Sequence, residues 1–491
     1  MNLKDSFLEE KIKRGVIFLE SNNLKEAEKI FQEIKKNKQS ELIGLFFLGI
    51  IQIKNKNYST AKVFFNKILI AEPDNKDANL NLGLVYLEEE NFDKAISFFN
   101  KVIDVDKNNI NAHYHKGLAN FLIKKYIEAI NSFQICIKID KNFSHSYLNL
   151  GHIHLRIKNF EQSIENYLKV LKLEPQNNNA KFNLAWSYFA IMKLDEAFKF
   201  YEFRKAKIKL SEKIINIKKK YSLLEWNGEN LNNKKILILS EQGIGDNIQF
   251  FRYLYSIKEK YNVEIYFYTD EKLKHLFEKS PFKIICDLNN LNDVDYYQHL
   301  LSLPGIFYKE KKEIQKNIPY IKIDNINNSK WKNKLSKFTK PIVALNWQGD
   351  KNFLFDDTRS IKLSFFENLI QLEKYNFISI QKNFGSEQIK LNNFSEKIHD
   401  FSNEIDENNK AFEDTISILH NIDMLITSDT AVAHLAGTMQ IKTYLLLSNN
   451  PEWRWYIENK EKCFYPNITI IQQDKANDWT GVFKKLENII G

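Results

Sequence analysis

A period of 34 residues in the first part of the chain constrains the fold more than any other feature. Four kinds of position recur at this step in six copies: a glycine, an alanine, an aromatic ring and a further apolar residue. The four columns are Gly15, Gly49, Gly83, Gly117, Gly151 and Ala185; Ala27, Ala61, Ala95, Ala129, Ser163 and Ala197; Phe31, Phe65, Phe99, Phe133, Tyr167 and Tyr201; and Leu24, Tyr58, Phe92, Tyr126, Phe160 and Leu194. A unit repeated at this length buries its apolar face only against its neighbours, so the copies are predicted to stack into one array.

The six copies resemble the tetratricopeptide repeat, in which two helices pack with a small residue at their closest approach and an aromatic ring where the next copy stacks. Pro73 and Pro175 close two of the copies. The resemblance implies a right-handed helical solenoid over about residues 8–205, within a first domain of residues 1–205, with a concave groove for a peptide or protein segment. A solenoid that only spaces or oligomerises the second half of the chain is the alternative.

The composition argues against several classes of protein. The 491 residues carry a net charge of +9, but lysine is spread evenly along the chain, which does not favour a nucleic-acid interface. The three cysteines, Cys136, Cys286 and Cys463, lack the spacing of a metal site or a disulfide framework, as in a reducing cytoplasm. The first residues lack the apolar core of a signal peptide, and no stretch of about 18 apolar residues follows. We therefore expect a cytoplasmic protein without a membrane span.

The second half of the chain alternates strands with helices. Residues 206–233 are predicted to form a basic capping helix and a linker. Residues 234–340 open with the strand KKILILS, the turn EQGIGDN and a helix from about Ile248, which together predict a Rossmann-like domain. Residues 341–491 repeat the alternation and predict a second such domain, with a last helix that returns across the first. The predicted fold class is α + α/β: a helical solenoid followed by two α/β domains that face each other over a cleft.

One turn at a predicted strand end suits a phosphate group. In SDTAVAHLAG, residues 428–437, a buried strand runs into a helix whose first amides, those of Thr430 and Ala431, lie at the positive end of the helix dipole without an intrahelical partner. Asp429 or Thr430 is predicted to cap this helix, and His434 lies one turn further along the same face. A capped structural helix with an ordinary histidine fits the same pattern.

A second turn, EQGIGDN, carries two glycines, Gly243 and Gly245, that let the backbone approach a ligand closely. Its GxGD pattern differs from the GxGxxG fingerprint of dinucleotide-binding proteins. Ligands of parallel α/β sheets bind outside the carboxyl ends of the strands, and both turns are predicted to lie there.

Taken in order, the motifs of the second half resemble glycosyltransferase family 9, which includes the ADP-heptose:lipopolysaccharide heptosyltransferases, and in particular its bacterial branch with tetratricopeptide repeats. The motifs between Trp226 and Trp479 are WNG, EQGIGDNIQFFRY, HLLSLP, ALNWQGD, DDTRSI, ISIQK, FEDT, SDTAVAHLAG, PEWRWY and FYPNITIIQQ. The resemblance implies a GT-B fold, in which the C-terminal Rossmann-like domain holds a nucleotide-sugar donor and the N-terminal one holds the acceptor. It also implies an inverting transfer without a metal or another cofactor.

The resemblance also assigns roles to single residues. Arg359, in DDTRSI, corresponds to a basic position that contacts the donor phosphates, and Asp246 corresponds to the proposed base for the acceptor hydroxyl. A solvated surface arginine and a helix N-cap are the structural alternatives for these two residues. His434 is expected to donate a hydrogen bond to the donor, and Lys382, at the end of the strand FISIQ, is expected to face it. Three more candidates support the base or meet the acceptor: Glu241, which is also a weaker candidate base, Gln249 and Arg252.

These patterns favour a metal-independent glycosyltransferase whose repeats recruit the acceptor, which we expect to be a protein. A transferase that acts on lipopolysaccharide or another cell-surface glycan at the inner leaflet also fits the motifs, and the basic residues 204–220 would then contact an anionic membrane. A scaffold that retains the transferase fold only for binding is the non-catalytic alternative. The expected partners are a nucleotide sugar and a protein or peptide in the repeat groove, with no nucleic acid.

Overall fold

The computed structural model of the chain describes residues 3–208, 212–289, 291, 293–311, 319–322, 325–352, 356–408, 410–449, 451–455 and 464–491. The chain divides into two compact units, Met1–Ser187 and Tyr188–Gly491. The division lies within a helix of the predicted sixth repeat, so the last helix of that repeat belongs to the second unit. Cys463, and Tyr456 of the PEWRWY motif, lie outside the described residues. The domain boundaries given above stay predictions.

The first unit is a solenoid of helix pairs. Its helices are α1 (Leu3–Glu20), α2 (Leu24–Lys35), α3 (Glu41–Lys54), α4 (Tyr58–Ala71), α5 (Lys76–Glu88), α6 (Phe92–Val105), α7 (Ile110–Leu122), α8 (Tyr126–Ile139), α9 (Ser144–Arg156), α10 (Phe160–Leu173) and α11 (Asn178–Ala190). The glycine column lies on the odd-numbered helices, and the alanine and aromatic columns lie on the even-numbered ones. The predicted helical repeats are therefore confirmed.

Each glycine of the column makes room for an aromatic ring. A Cβ atom added at Gly83 would lie 2.5 Å from Cε1 of Phe99, and one added at Gly117 would lie 2.8 Å from Cε1 of Phe133. Both rings are wholly buried. The period that the sequence displays is thus a steric requirement, because the two helices of a pair approach to a distance that leaves no space for a side chain.

The backbone contains a further column that the residue types do not reveal. In each turn between paired helices, one residue adopts a left-handed conformation, with φ between 57° and 63°. The six residues are Asn22, Lys56, Glu90, Lys124, Lys158 and Met192. A left-handed residue after a helix ends it and redirects the chain. Because none of the six is a glycine, this part of the repeat was not recognisable from composition.

The second unit contains two sheets. Its helices are α12 (Leu194–Tyr201), α13 (Glu212–Lys220), α14 (Ile244–Phe250), α15 (Arg252–Lys260), α16 (Glu271–Phe277), α17 (Leu303–Lys311), α18 (Asn325–Leu335), α19 (Asp356–Arg359), α20 (Glu367–Ile370), α21 (Glu413–His420), α22 (Ala431–Thr438) and α23 (Trp479–Ile490). Its strands are β1 (Leu224–Glu225), β2 (Lys234–Leu239), β3 (Val263–Tyr268), β4 (Lys283–Ile285), β5 (Tyr296–His299), β6 (Ile342–Asn346), β7 (Asn376–Ser379), β8 (Ile398–Asp400), β9 (Met424–Ser428), β10 (Thr443–Leu447) and β11 (Ile468–Gln472). Short 3-10 helices lie at Glu202–Lys207, Leu300–Ser302, Leu363–Phe366, Ser386–Leu391, Ser395–Lys397 and Trp453–Trp455.

Both sheets are parallel throughout. The first has the strand order β1-β5-β2-β3-β4, and the second has the order β11-β10-β9-β6-β7-β8. In the first sheet the order reverses between β2 and β5, and in the second it reverses between β6 and β9. The predicted combination of a helical solenoid with parallel α/β sheets is confirmed, and the strands KKILIL, IVALN and TYLLL lie where the pattern placed them.

The helix after β2 begins one turn earlier than its pattern predicted. It starts at Ile244 rather than near Ile248, and a second helix, α15, follows from Arg252. Gly243 is the N-cap, with an extended backbone (φ −77°, ψ 164°), and its amide donates to Oδ2 of Asp246 at 2.9 Å. This return hydrogen bond is one half of a capping box. Asp246 is therefore the third residue of the helix and not its N-cap.

A buried ion pair fastens the segment after α12 to the first sheet. Arg204 donates from Nη2 to Oε1 of Glu241 at 2.6 Å and from Nε to Oε2 at 3.1 Å. Further along the basic segment, the ammonium of Lys218 donates to the hydroxyl of Tyr297 at 2.6 Å. Both cations, Arg204 and Lys218, therefore bind side chains of the second unit. None of the helices in the described ranges has both the length and the apolar character that crossing a bilayer requires.

Candidate functional site

The two predicted turns lie where the strand order of each sheet reverses. The turn that contains Gly243 follows β2, beside β5, and the turn that contains Asp429 follows β9, beside β6. In open parallel sheets, a crevice opens at such a reversal outside the carboxyl ends of the strands, and ligands bind there. These two strand ends define the candidate site.

Gly245 brings the first turns of α14 and α22 into contact. A Cβ atom added at Gly245 would lie 2.9 Å from Cδ2 of His434 and 3.4 Å from Cα of Ala431. A side chain at this position would therefore separate the two helices. The glycine was expected to let the backbone approach a ligand, and the structure adds a close approach to another helix.

The start of α22 has no side-chain cap. Thr430 occupies the N-cap position, but its hydroxyl donates to Oδ1 of Asn346 at 2.9 Å instead of accepting from a helix amide. The prediction that Asp429 or Thr430 caps this helix is wrong: the Thr430 hydroxyl is bonded to Asn346, at the end of β6, and accepts from no amide of α22. Within the described residues, the first amides of α22 are thus left without a side-chain acceptor at the positive end of the dipole.

Arg359 lies beside this helix start. Its Nη1 donates to the carbonyl oxygen of Asp429 at 3.3 Å, and its Nε donates to Oδ1 of Asp356 at 3.2 Å. Gly349 leaves space for the guanidinium, since a Cβ atom there would lie 2.5 Å from Nη2. About a quarter of the arginine side chain is exposed, 24%. The structure therefore brings together the predicted phosphate-contacting arginine and the predicted phosphate-binding turn.

Asp246, the predicted base, is held by two groups. Its Oδ2 accepts from the Gly243 amide, and its Oδ1 pairs with the guanidinium of Arg454. Arg454 also pairs with the carboxyl group of Glu452. The side chains of Asp246 and Arg454 are each 11% exposed, and that of Glu452 is 34% exposed. The carboxylate of Asp246 thus lies close to the start of α22, oriented by an amide and neutralised by a cation.

Two acids near Arg359 resist ionisation. Burial raises the pKa of Asp429, although the charge of Arg359 and a hydrogen bond from Trp455 act in the opposite direction. Burial also raises the pKa of Glu452, to about 8, with the neighbouring Asp429 charge adding to the effect and the Arg359 charge opposing it. The raised pKa favours the protonated form of Glu452 near neutral pH, which lowers the negative charge around the α22 start.

His434 is packed as a neutral ring. Its Nδ1 lies 3.2 Å from the hydroxyl of Tyr465, and the ring stacks on Trp455 with centroids 4.8 Å apart. Burial, together with the positive charge of Arg252, lowers its pKa to about 3. A neutral imidazole has one N–H to donate. The predicted hydrogen bond from His434 to the donor stays a prediction.

Four other predicted residues are either wholly buried or bonded to groups within the second unit. Glu241 accepts both hydrogen bonds of the Arg204 pair described above. Gln249 is wholly buried, with no partner for either amide atom among the described residues. Arg252 is also wholly buried and donates from Nε to the Gln249 carbonyl at 2.7 Å. The ammonium of Lys382 donates to the backbone carbonyls of residues 405 and 406. Their assigned roles toward acceptor and donor stay predictions.

Two residues of the site, Asn346 and Glu452, were not singled out from the sequence. Arg454 lies beside Glu452 in the PEWRWY motif, whose cluster of Trp453, Arg454, Trp455 and Tyr456 fits either a wall of the donor site or the packing of the domain. The motif follows β10, so it also lies outside the carboxyl end of a parallel strand, where ligands of such sheets bind. In the described ranges, no three histidine, cysteine, aspartate or glutamate side chains are grouped in the manner of metal ligands.

Comparison with protein families identifies the first unit. Residues 54–136 match the family described as anaphase-promoting complex, cyclosome, subunit 3, and residues 144–177 match the tetratricopeptide repeat family. The N-terminal region therefore consists of tetratricopeptide repeats, as predicted, and such repeats are suited to binding a protein partner. No curated protein matches the chain.

Similar solved structures cover part of the chain. A structure of MamA has 26% identity, covers 33% of this chain and 97% of its own, and has a TM-score of 0.31. MamA from Desulfovibrio magneticus RS-1 has 21% identity, covers 36% and 98%, and has a TM-score of 0.32. A tetratricopeptide repeat protein from Parabacteroides merdae has 18% identity, covers 41% and 80%, and has a TM-score of 0.36.

Proposed function

We propose that the second unit is a glycosyltransferase, related to family 9 and with a GT-B pairing of its two sheets, that moves a sugar from a nucleotide-sugar donor to an acceptor hydroxyl. The observation that carries the proposal is the start of α22, which lies at a reversal of strand order with uncapped amides and Arg359 beside them. Helix amides at the positive end of a dipole, together with a guanidinium, are the donors that suit a diphosphate.

The proposed reaction is a single displacement. The acceptor oxygen forms a bond to the anomeric carbon while the bond from that carbon to the diphosphate oxygen breaks, which inverts the configuration. The nucleoside diphosphate leaves with the bonding electrons, and Arg359 and the amides of Thr430 and Ala431 stabilise its negative charge. The hydroxyl proton passes to the carboxylate of Asp246 as general base. We propose that this step requires no metal ion.

The position of Asp246 supports its role. Its helix touches the start of α22 through Gly245, and the Gly243 amide holds one carboxylate oxygen at 2.9 Å. A base that is oriented in this way loses little conformational freedom when an acceptor binds. The amide oxygen of an asparagine can accept the same hydrogen bond, so Asp246→Asn removes the base while it preserves the helix cap.

The acceptor is proposed to be a protein segment bound by the repeats of the first unit. A solenoid of tetratricopeptide repeats offers an extended groove for such a segment. Because the repeats and the transferase are covalently joined, a segment bound by one module reaches the other at an effective concentration of about millimolar. The repeats would thereby select the acceptor, and the second unit would carry out the chemistry.

A nucleotide-binding assay tests the donor site. The thermal unfolding of the purified chain is followed with ADP, GDP, UDP, CDP and their sugar conjugates, with and without EDTA. At a concentration of 100 times Kd, one nucleotide should stabilise the protein by about 2.7 kcal/mol, a shift of a few degrees. The shift should persist with EDTA, be lost in Arg359→Gln and be unchanged in the exposed control Arg14→Gln. No shift with any nucleotide contradicts the proposal.

The chemical step is tested separately with Asp246→Asn. We expect this variant to keep the nucleotide-induced shift but to release nucleoside diphosphate from the sugar donor about 100-fold more slowly, the usual effect of losing a general base. Release is measured with water or a captured protein as acceptor. Wild-type turnover by the variant argues against Asp246 as the base, and loss of turnover with EDTA argues against a metal-independent step.

A further inference from the structure

The guanidinium of Arg454 lies close to the start of α22 and has no role in the proposed reaction. We propose that Arg454 is a second cation of the donor site, which Glu452 holds in the ligand-free protein and which passes to the donor diphosphate on binding. The inference rests on the proposed function, because it takes the nucleotide diphosphate as the anion that binds at this helix start.

The neighbours of Arg454 place it beside the first turn of α22. On one side, the ring of Trp455 stacks on His434 of that helix with centroids 4.8 Å apart. On the other side, the carboxylate of Glu452 interacts electrostatically with Asp429, which directly precedes the helix cap, and with Arg359. Residues 452–455 therefore run along the same helix start that Arg359 borders.

The two partners of Arg454 resemble a diphosphate in chemistry. Nη1 pairs with Asp246 and Nη2 pairs with Glu452, so one guanidinium bridges two carboxyl oxygens from separate groups. The planar fork of arginine suits two phosphate oxygens as well as two carboxylate oxygens. Glu452 is the more exposed partner, with 34% of its side chain accessible against 11% for Asp246. Glu452 is therefore the partner that an incoming anion can replace with the least rearrangement.

The charges around this position explain how an anion gains access. The charged and titratable side chains around it include the acids Asp246, Asp356, Asp429 and Glu452, the arginines Arg252, Arg359 and Arg454, the phenols Tyr201 and Tyr465, and neutral His434. With all four acids ionised, the three arginines would be outnumbered. Because the pKa of Glu452 is raised to about 8, it carries a proton at pH 7 and a negative charge at pH 9. An anion therefore competes with a neutral Glu452 below pH 8 and with a carboxylate above it.

The first experiment measures nucleotide affinity by calorimetric titration at pH 7. The probe is whichever of ADP, GDP, UDP and CDP stabilises the wild-type chain most. Arg454→Gln should weaken binding by about 10- to 100-fold, as expected for the loss of hydrogen bonds to a charged group. Arg454→Lys keeps the charge but not the fork, so its loss should be smaller. Arg14→Gln changes the net charge equally at an exposed position of α1 and should bind as the wild type does.

The second experiment repeats the titration at several pH values between 7 and 9, with the wild type and with the variant Glu452→Gln. The wild type should lose about tenfold in affinity over this interval, because each pH unit above the pKa of a competing acid lowers the protonated fraction about tenfold. The glutamine still accepts a hydrogen bond from Arg454 but cannot ionise, so its profile should be flat. This variant also decides the question if Arg454→Gln fails to fold.

The outcomes separate this inference from the proposed function. A wild-type protein that binds none of the nucleotides contradicts the proposed function itself. A wild type that binds, together with an Arg454→Gln variant of equal affinity and an Arg359→Gln variant that does not bind, contradicts only the role of Arg454. A Glu452→Gln variant that loses affinity as steeply as the wild type when the pH rises also contradicts the proposal that Arg454 passes from Glu452 to the diphosphate.

Discussion

Among single residues, His434 shows how the surroundings of the site set a protonation state. Burial among Trp455 and Tyr465, close to Arg252, lowers its pKa to about 3. In an unfolded chain, a histidine takes up its proton near pH 6.5. Between these two values the unfolded state binds one more proton than the folded state, so the free energy of unfolding falls as the pH falls. The contribution of His434 to stability is fully present above pH 6.5 and is lost toward pH 3.

We therefore expect His434→Phe to make the second unit less sensitive to acid. Between pH 7.5 and pH 5.5, protonation of the histidine in the unfolded state lowers the free energy of unfolding of the wild type by about 1.4 kcal/mol. Phenylalanine has no proton to bind, so the variant does not lose this free energy, and its ring can still stack on Trp455. Urea unfolding followed by tryptophan fluorescence at the two pH values measures the difference. His420→Gln, at an exposed position of α21, is the control and should keep the wild-type slope. Equal pH slopes for wild type and His434→Phe would contradict a neutral, buried histidine.

Among the elements, the contact between α14 and α22 depends on one position without a side chain. A Cβ atom at Gly245 would meet the His434 ring, which cannot move away because it is stacked on Trp455. We expect Gly245→Ala to lower the free energy of unfolding of the second unit by about 1–3 kcal/mol, the usual cost of overpacking. Chemical denaturation measures it.

Gly243→Ala is the matched control for this helix contact. Its Cβ atom would lie 3.1 Å from Oδ2 of Asp246, and the backbone has an ordinary φ of −77°. We expect a change below about 1 kcal/mol, because a small shift of the carboxylate relieves the contact. If both glycine variants are equally unstable, the loss comes from the capping box rather than from the contact between α14 and α22.

Local patterns predicted the strands and the turns at their ends, and the 34-residue period predicted the repeats, because each of these features depends on residues that are near one another in sequence. The cap of α14 was placed one turn too late, since both Gly243 and Asp246 suit such a position and only the fold selects between them. The pair of Asp246 with Arg454 joins residues 208 apart in sequence. No periodicity reports contacts of that span, so the ionic part of the site required the structure.

At the scale of the whole molecule, the two units can be followed by different signals. Six of the seven tryptophans lie in Tyr188–Gly491, the exception being Trp186. The first unit is helical throughout its pairs, whereas the second unit divides its residues among sheets, helices and turns. Tryptophan fluorescence therefore reports chiefly on the second unit, and far-UV circular dichroism at the helical minimum reports strongly on the first.

Two glycine variants should separate these signals. Gly83→Ala places a Cβ atom 2.5 Å from the buried ring of Phe99. It should therefore lower the midpoint of the unfolding transition followed by circular dichroism and leave the midpoint followed by fluorescence unchanged. Gly245→Ala should do the reverse. Each loss should be about 1–3 kcal/mol. If either variant lowers both transitions by the same amount, the two units unfold as one cooperative structure, which contradicts the prediction.

The bond from Arg252 to the backbone of Phe464 has a consequence for biosynthesis. Its Nη1 donates to a carbonyl that lies 212 residues further along the chain, at 2.9 Å. At about 5–20 residues per second, a ribosome needs about 10–40 s to make that stretch. During this interval the nascent chain contains a guanidinium and a glycine-rich turn that still lack their partners from Phe464 and α22. The turn that is translated first is therefore completed last, and chaperones that shield nascent chains have a defined period in which to bind it.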